Sequence, residues 1–320
     1  MQKSKLIIDC DPGLDDLLAL VAAAYFLPTS VEAICSSFGN SNVEQTTKNA
    51  LDSTHLLPQL VCDVYQGASC ANFSGLNKQL ELHWPTYGDD DGTCGVNLRS
   101  LTSDKAFDSF KMNISELYAK LIESPMKHKL LAIAPLTDIA NLCRKVDQSK
   151  FELYTLGSYF NLCSVEEARL SYNIKLDPDA AKTVFSSFND ITITGLDIYG
   201  NWSESTFSDL FDYCMNLNTI SAKLLLMAVS AYRQHKMDAS ALLVDSLPVF
   251  AVAHPEIFTW SYGTIIVQAE NYPNASFLKF IPDQSVVCDK QLNYQHTVRV
   301  ATKLNIEMFI DYWLKIVRHI

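Results

Sequence analysis

The feature that most constrains this chain is the stretch KLIIDCDPGLDDLLALVAAAYF, which runs from Lys5 to Phe26. It places four carboxylates, those of Asp9, Asp11, Asp15 and Asp16, within eight residues. An apolar run of strand length precedes the carboxylates, Pro12-Gly13 predicts a turn, and an apolar run of helix length follows. Partly buried carboxylates at this spacing raise one another's pKa and destabilise the folded state. The fold must therefore contain something that compensates for their repulsion.

Apolar runs of strand length recur along the chain, and segments with helical patterns separate them. This alternation is typical of βαβ units and predicts a largely parallel sheet. We expect an α/β fold, with one domain over residues 1–320 and a central, mostly parallel, Rossmann-like sheet flanked by helices. The further runs are VEAICSSF at 31–38, KLLAIA at 129–134, FELYTLGS at 151–158 and DITITGL at 190–196, with a helix predicted over 42–57 and long loops over 70–103, 161–175 and 232–245.

Composition excludes several classes of protein. A net charge of -11 over 320 residues leaves no basic stripe for nucleic acid. No apolar run reaches the length of about 20 residues that a membrane helix requires, and the first strand begins too early for a signal peptide to precede it. The nine cysteines are odd in number and include no CxxC pair, so reduced thiols are expected. Together these observations predict a cytoplasmic protein that has neither a nucleic-acid nor a membrane partner.

The carboxylate-rich turn has the position of a ligand site. In an open parallel sheet, ligands bind beyond the carboxyl ends of the strands. Asp9 and Asp11 are two residues apart at a strand end, so we expect them to share a face. Asp15 and Asp16 fall in the first helical turn, where the helix dipole stabilises negative charge by about 1 kcal/mol at most. That is too little for four carboxylates. A bound hard cation, calcium or magnesium, would offset the repulsion.

Three other interpretations of the acidic turn explain less of it. Helix capping accounts for Asp15 or Asp16 but leaves the other carboxylates unexplained. A phosphatase with an aspartate nucleophile also begins with a strand and a DxD pair, but Pro12-Gly13 stands where its pattern requires other residues. An EF-hand loop needs a fixed spacing that ends in a bidentate Glu, and this segment lacks it.

The segment DCDPGLDD resembles the N-terminal signature of the inosine-uridine-preferring nucleoside hydrolase family. Five further segments resemble blocks of the same family, and they occur in the same order along nearly the whole chain. They are SSFGNSNVEQTTKNAL at 36–51, VYQGAS at 64–69, LAIAPLTDIANL at 131–142, YNIKLDPDAAKTVF at 172–185 and VDSLPVFAVAHPEIF at 244–258. Six collinear blocks make the resemblance specific.

The resemblance implies calcium-dependent hydrolysis of the N-glycosidic bond of ribonucleosides, which gives ribose and a free base. Relatives of this kind are commonly dimers or tetramers, so it also implies a homo-oligomer. Asp11 would act as the general base and take a proton from a calcium-bound water that attacks C1′ of the sugar. The implied calcium ligands are Asp11, Asp16, the main-chain carbonyl of Thr137, and Asp245. The implied substrate contacts are Asp15, Asn40, Asn173, Asp245, His83, Asn161 and Trp84.

Three positions depart from the family pattern. Val244 stands where many members have a His that is taken as the acid for the leaving group. Ser171 replaces a Glu that contacts the 5′ end of the ribose, and Trp84 replaces the glycine after His83. Two rivals therefore stay open: a calcium-dependent ribose- or nucleoside-binding protein without turnover, and a hydrolase of another N-riboside.

The base preference also stays open. Trp84 either stacks on a purine base or packs beneath its loop. A segment further along the chain either closes over the base or forms ordinary surface. Its candidate residues are Tyr232, Gln234 and His235.

Overall fold

The computed structural model describes residues 4–72, 91–101, 112–158, 160, 171–268, 277–282 and 297–320. Within these ranges strands and helices alternate along most of the chain. The strands are β1 Lys5–Cys10, β2 Val31–Ser36, β3 Asp63–Gln66, β4 Met112–Asn113, β5 His128–Ala132, β6 Phe151–Leu156, β7 Asp190–Thr194, β8 Phe258–Gln268, β9 Phe277–Pro282 and β10 Thr297–Leu304. The α-helices are α1 Leu14–Phe26, α2 Val43–Leu56, α3 Ile114–Glu123, α4 Thr137–Cys143, α5 Tyr172–Leu176, α6 Pro178–Ser187, α7 Ser208–Cys214, α8 Ile220–Gln234, α9 Leu247–Ala253 and α10 Ile306–His319.

The described strands form one sheet in the order β4-β3-β2-β1-β5-β6-β7-β10-β8-β9. Pairing is parallel from β4 through to β10, and only β8 and β9 join in the antiparallel sense. The chain runs outward from β1 to β4 and then returns to β5 on the other side of β1. The carboxyl ends of β1 and β5 therefore form a topological switch point, the place where open α/β sheets bind ligands.

The two faces of the sheet support separate apolar cores. Leu6 and Ile8 of β1 pack into the core that contains α1, α8, α9 and α10. Ile7 points to the opposite face and joins the core under α3, α4 and α6. The alternation follows from the two-residue period of a strand. Because both faces are covered, the consecutive residues Leu6 to Ile8 of β1 are all apolar.

Local chemistry explains where α1 and α2 begin. Gly13 caps α1 with an extended backbone, and the Asp16 carboxylate accepts a hydrogen bond from the Gly13 N–H at 3.1 Å. Asn42 caps α2, where its side-chain oxygen accepts from the Gln45 N–H at 2.9 Å. Such contacts satisfy main-chain donors that have no partner inside the helix. Asp15 and Asp16 therefore lie in the first turn of α1, as predicted.

The α/β architecture with a mostly parallel sheet is confirmed, and the predicted loops need two corrections. The segment 232–245 contains the end of α8 and a 3₁₀ helix at Ala239–Leu243, and the segment 161–175 includes the start of α5. The antiparallel extension formed by β8 and β9 was not predicted, because an alternation of strands and helices indicates parallel pairing only. No helix in the described ranges is long and apolar enough to cross a membrane.

His128 is a buried titratable group at the amino end of β5, far from the switch point. Its Nε2 lies 2.8 Å from Ser124 Oγ, whereas Nδ1 lies 4.0 Å from the Glu32 carboxylate, beyond hydrogen-bond reach. Burial lowers the pKa of His128; Lys150 and Lys5 lower it further, and Glu32 opposes them. Stability from the neutral ring is therefore complete above the ordinary His pKa of about 6.5 and is lost as pH falls below it.

We expect His128→Gln to weaken this acid dependence. Between pH 7 and 5, with calcium in excess, the melting temperature of the wild type should fall by roughly 2 °C more than that of the variant. Differential scanning fluorimetry measures the difference. His55→Gln, at an exposed position near the end of α2, is the control and should behave as the wild type. If the melting temperatures of all three proteins fall equally between pH 7 and 5, His128 is not the titrating group.

Candidate active site

The acidic turn lies at the carboxyl end of β1, beside the end of β2; the side chains of Asp9, Asp11 and Asp16 are buried, and that of Asp15 is half-buried. Asp11 follows β1 directly and is 2% exposed. The Asn40 N–H donates to Asp11 Oδ2 at 2.6 Å, which fixes the orientation of the carboxylate. Gly39 is required for this approach, because a Cβ at that position would lie 1.8 Å from Asp11 Oδ2. The two strand ends are thus joined through one carboxylate.

The Asn40 side chain connects Asp11 to Asp16. Its amide group donates to the Asp11 carbonyl at 3.1 Å and to Asp16 Oδ2 at 2.9 Å. Asp16 also accepts from the N–H groups of Asp11 and Gly13, each at 3.1 Å. Both amide hydrogens of Asn40 are therefore engaged inside the turn, and its side-chain oxygen takes part in neither of these bonds.

Asp245 completes the acidic cluster from a connection whose flanking elements pack in the same core as α1. It lies between the 3₁₀ helix Ala239–Leu243 and α9. One carboxylate oxygen from each of Asp15, Asp16 and Asp245 lies within 4.8 Å of the others. Burial and mutual repulsion raise the pKa of Asp16 and of Asp245 well above the ordinary Asp value. The pKa of Asp11 rises for the same reasons, burial first and then the charges of Asp16, Asp245 and Asp15.

This donor set fits a hard divalent cation. Calcium binds oxygen ligands at about 2.3–2.6 Å, so two ligands of one ion lie at most about 5 Å apart. The cluster meets that limit with carboxylate oxygens alone. A cation would also remove the repulsion that raises the pKa values of these carboxyl groups. The predicted ligand set included Asp11 in place of Asp15; in the structure, hydrogen bonds hold Asp11 next to the three clustered carboxylates.

Thr137 and Asn173 are the predicted site residues nearest to the end of β5. Thr137 begins α4 and is fully buried, and its hydroxyl donates to Asp177 Oδ2 at 2.7 Å. The family resemblance implies the main-chain carbonyl of Thr137 as the ligand, and the hydrogen bond of the hydroxyl leaves that prediction unchanged. Asn173, on α5, donates its amide hydrogen to the Ile133 carbonyl, just past the end of β5.

Two buried aspartates that the sequence reading missed support the turn at Thr137. Asp177 accepts from the N–H groups of Asn72 and Ala180 as well as from Thr137. Its place before Pro178 is a helix N-cap signature, which was a usable signal. Asp138 accepts from the Ala68 N–H, and burial raises its pKa to about 6. Together the two aspartates connect the end of β3 to the start of α4.

Asp9 lies apart from the clustered carboxylates. It is 1% exposed, and neither of its carboxylate oxygens has a hydrogen-bond partner among the described residues. Burial raises its pKa well above the ordinary value, and the nearby charges of Asp138 and then Asp16 add to the effect. The four carboxylates of the acidic turn thus occupy two environments.

Two of the three positions that depart from the family pattern, Val244 and Ser171, are described by the structure, and both are buried. Val244 is 8% exposed and packs in the apolar core with α1, α8 and α9. Ser171 is buried, and its hydroxyl has no hydrogen-bond partner within the described part of the chain. Tyr232 is buried in α8, whereas Gln234 is exposed and His235 is half-buried. The predicted contacts His83, Trp84 and Asn161 lie outside the described residues.

A mostly parallel α/β sheet that brings carboxylates together at its switch point has the architecture of an α/β protein with a ligand site at that edge. The sequence profile described as inosine-uridine preferring nucleoside hydrolase matches residues 6–311 of the chain. The chain therefore belongs to the inosine-uridine preferring nucleoside hydrolase family and is an enzyme. The resemblance inferred from six sequence blocks is confirmed.

Individual relatives agree with this assignment. The chain is 30% identical over 276 residues to uridine nucleosidase 1 of Arabidopsis thaliana, covering 83% of this chain and 79% of the relative. It is 28% identical over 284 residues to the non-specific ribonucleoside hydrolase RihC of Klebsiella pneumoniae, covering 83% and 88%. The solved purine-preferring ribonucleoside hydrolase from Gardnerella vaginalis superposes with a TM-score of 0.74 at 22% identity, covering 98% of both chains. That structural likeness supports the fold.

Proposed function

We propose that this enzyme hydrolyses the N-glycosidic bond of ribonucleosides, with calcium bound in the acidic cluster, and releases ribose and a free base. The observation that carries the proposal is the approach of the Asp15, Asp16 and Asp245 carboxylates to within 4.8 Å beside Asp11. The relatives named as a uridine nucleosidase and a ribonucleoside hydrolase support the substrate class.

Asp16, Asp245 and the Thr137 carbonyl would hold the calcium, together with Asp11. When bound, calcium supplies a Lewis acid that lowers the pKa of a coordinated water and orients the hydroxyl groups of the sugar. Asp11 accepts the proton of the attacking water. Its carboxylate is fixed through Oδ2 by the Asn40 N–H, so Oδ1 is the atom that we propose receives the proton.

The ribose contacts follow from the unused atoms of the site. The Asn40 side chain has its amide hydrogens engaged, so its oxygen accepts from a sugar hydroxyl. Asp15 lies in the first turn of α1, and Asn173 is hydrogen-bonded to the Ile133 carbonyl, just past the end of β5. We propose that both contact the ribose. As the bond to the base breaks, positive charge develops on the sugar, as in glycoside hydrolysis. Buried carboxylates around the ribose stabilise that charge.

A second candidate is a binding protein that retains the ribose pocket without turnover. Val244 favours it, because its side chain is packed in the apolar core beside Asp245 and supplies no proton to a leaving base. Hydrolysis of another N-riboside is a variant of the first candidate. Calcium as the ion, a homo-oligomeric assembly and a cytoplasmic location stay predictions.

The test is release of reducing sugar from a panel of ribonucleosides and matching 2′-deoxyribonucleosides. A hydrogen bond to a charged group contributes about 1.5–3 kcal/mol, so loss of the 2′ hydroxyl should lower kcat/KM roughly tenfold to hundredfold. Asn173→Ala should lower kcat/KM on ribonucleosides, because the proposed contact to a ribose hydroxyl is lost. The ratio of kcat/KM on ribonucleosides to kcat/KM on 2′-deoxyribonucleosides should therefore become smaller. Asn216→Ala, at an exposed position after α7, is the control. Calorimetric binding of a nucleoside with no sugar release over hours would favour the binding protein instead.

A further inference from the structure

Asn49 is a buried side chain outside the predicted site whose amide group is fully engaged. It lies on α2 and is 2% exposed. Its two amide hydrogens go to the carbonyl oxygens of Pro12 and Asp91, each at 2.9 Å, and its oxygen accepts from Gln45 Nε2 at 2.9 Å. One side chain therefore links two main-chain segments that are about 80 residues apart in the sequence.

The Pro12 carbonyl belongs to the segment that carries the clustered carboxylates, residues 11–16. Asp11 precedes Pro12, and the Gly13 N–H after it donates to Asp16. Asp16 also accepts from the Asp11 N–H. The peptide unit held by Asn49 is thus enclosed in the ring of hydrogen bonds that sets the positions of two carboxylates. A displacement of Pro12 would change the distance between them.

The Asp91 carbonyl belongs to a compact turn at residues 91–96. The Asp91 carboxylate accepts from the N–H groups of Thr93 at 2.8 Å and Gly95 at 3.3 Å. The turn lies against Asn40: a Cβ at Gly92 would stand 3.2 Å from the Asn40 carbonyl oxygen, and Gly92 has a φ of +71°. Asn40 in turn holds Asp11 Oδ2. Two residues therefore connect the turn to the acidic segment: Asn49 through its hydrogen bonds, and Asn40 through its contact with Gly92 and its hydrogen bond to Asp11.

We infer that Asn49 is a positioning residue that fixes the turn at 91–96 to the acidic segment 11–16 and so holds the carboxylates in a cation-binding arrangement. A neutral amide suits this role, because only a group with two donor hydrogens satisfies both carbonyl oxygens. Its effect on the metal and on turnover rests on the proposed function; the linkage of the two segments does not. Removing groups that orient metal ligands typically weakens metal affinity about tenfold to hundredfold.

The test compares Asn49→Asp with Asn42→Asp, which makes the same chemical change on the same helix. Asn42 uses only its side-chain oxygen as a cap for the Gln45 N–H, so Asp preserves that bond. The Asn49→Asp carboxylate instead faces two carbonyl oxygens without its donors. An added negative charge by itself would strengthen cation binding, so weaker binding must come from the lost hydrogen bonds.

Two measurements are made on the three full-length proteins. Hydrogen exchange without metal should be faster in Asn49→Asp in peptides covering both 8–18 and 91–101, with Asn42→Asp matching the wild type. Calcium titration by calorimetry should give a dissociation constant about tenfold to hundredfold weaker for Asn49→Asp alone. Gln45→Ala, which removes the donor to Asn49 Oδ1, should weaken binding about threefold to tenfold and serves if Asn49→Asp does not fold.

Unchanged exchange in either segment, for both Asn49→Asp and Gln45→Ala, overturns the linkage. Calcium affinity equal to that of Asn42→Asp, with lower thermal stability alone, overturns the positioning role and leaves Asn49 as a packing residue. A wild type that binds calcium but releases no sugar contradicts the proposed function, while the exchange and affinity measurements still decide the role of Asn49.

Discussion

Chelating calcium should stop ribonucleoside cleavage, with turnover falling about 10³-fold or more, because several kcal/mol of transition-state stabilisation are lost. Chelation should also lower the melting temperature. A ligand present at 100 times its dissociation constant stabilises the native state by about 2.7 kcal/mol. For a chain of 320 residues this corresponds to roughly 4 °C. Turnover assays and scanning calorimetry, with and without a chelator, measure both effects.

Asp245→Asn should raise the melting temperature of the metal-free protein and lower that of the calcium-bound protein. Without metal, the Asp245 carboxylate is buried beside Asp15 and Asp16, and burial and their charges raise its pKa. Replacing it with a neutral side chain of the same shape removes that repulsion, so the chelated variant should melt roughly 2–5 °C above the chelated wild type. With calcium in excess the order should invert, because the variant has lost a charged ligand.

The same carboxyl groups give the metal-free protein a defined pH dependence. Their folded-state pKa values are raised above the unfolded value of about 3.9, so the folded state holds protons to higher pH than the unfolded state does. The stability that they contribute is complete below the unfolded pKa and is lost as pH rises through the folded pKa. The advantage of chelated Asp245→Asn over chelated wild type should therefore grow as pH rises.

Asp238→Asn is the matched control for these comparisons. Asp238 is exposed in the same connection, and its carboxylate caps a 3₁₀ helix by accepting from the Ser240 N–H, which an Asn oxygen can also do. It should follow the wild type with and without calcium. If chelation leaves the turnover and melting temperature of the wild type unchanged, the acidic cluster does not bind a required cation.

The acidic turn was predictable because its geometry is local. The turn at Pro12-Gly13 between β1 and α1 keeps Asp11, Asp15 and Asp16 within one short segment, and the fold leaves them at the switch point. Asp245 was identified only through the family resemblance, since nothing in its own neighbourhood marks it as a ligand. It meets the cluster through tertiary packing across more than 200 residues of sequence.

The residues that hold the acidic turn in place could not be predicted from local sequence. Asn49 appears in the sequence as one polar residue in an amphipathic helix, and its partners Pro12 and Asp91 are main-chain carbonyls. A carbonyl has no sequence signature, so such contacts follow only from the packed structure. The separation of Asp9 from the clustered carboxylates has a similar origin. Burial raises the pKa of Asp9, and the charge of Asp138, in the first turn of α4, raises it further.

The second large effect concerns the leaving group. With Val244 packed beside Asp245, no imidazole at that position can protonate the departing base. A positioned proton donor typically contributes 10²–10⁴-fold to the rate. Its absence should therefore be felt most on bases that leave poorly. We expect kcat to rise steeply with leaving-group quality, so that an activated aryl riboside such as a nitrophenyl riboside is cleaved about 10²–10⁴-fold faster than a natural ribonucleoside.

Val244→His should reduce the difference in kcat between the nitrophenyl riboside and a natural ribonucleoside by changing only the second of these rates. The imidazole would raise kcat on a natural ribonucleoside and leave kcat on the nitrophenyl riboside nearly unchanged, because the activated group departs without a proton. Val244→Leu is the control for changed packing, since it fills the same apolar site and supplies no donor. Comparing kcat on both substrates for all three proteins separates proton donation from a general change in the pocket.

Two other outcomes are possible: one would assign the proton donor to another residue, and the other would favour a binding protein. If the wild type cleaves a natural ribonucleoside as fast as the nitrophenyl riboside, another group donates the proton, and Tyr232 and His235 are the residues to replace. Tyr232 is buried near the end of α8, and His235 is half-buried just after it. Because a phenol and an imidazole ordinarily titrate in different pH ranges, the pH profile of kcat would show which type of group donates the proton. If the wild type binds ribose and calcium but cleaves neither substrate, the acidic cluster serves binding alone, and Val244 marks the loss of the reaction.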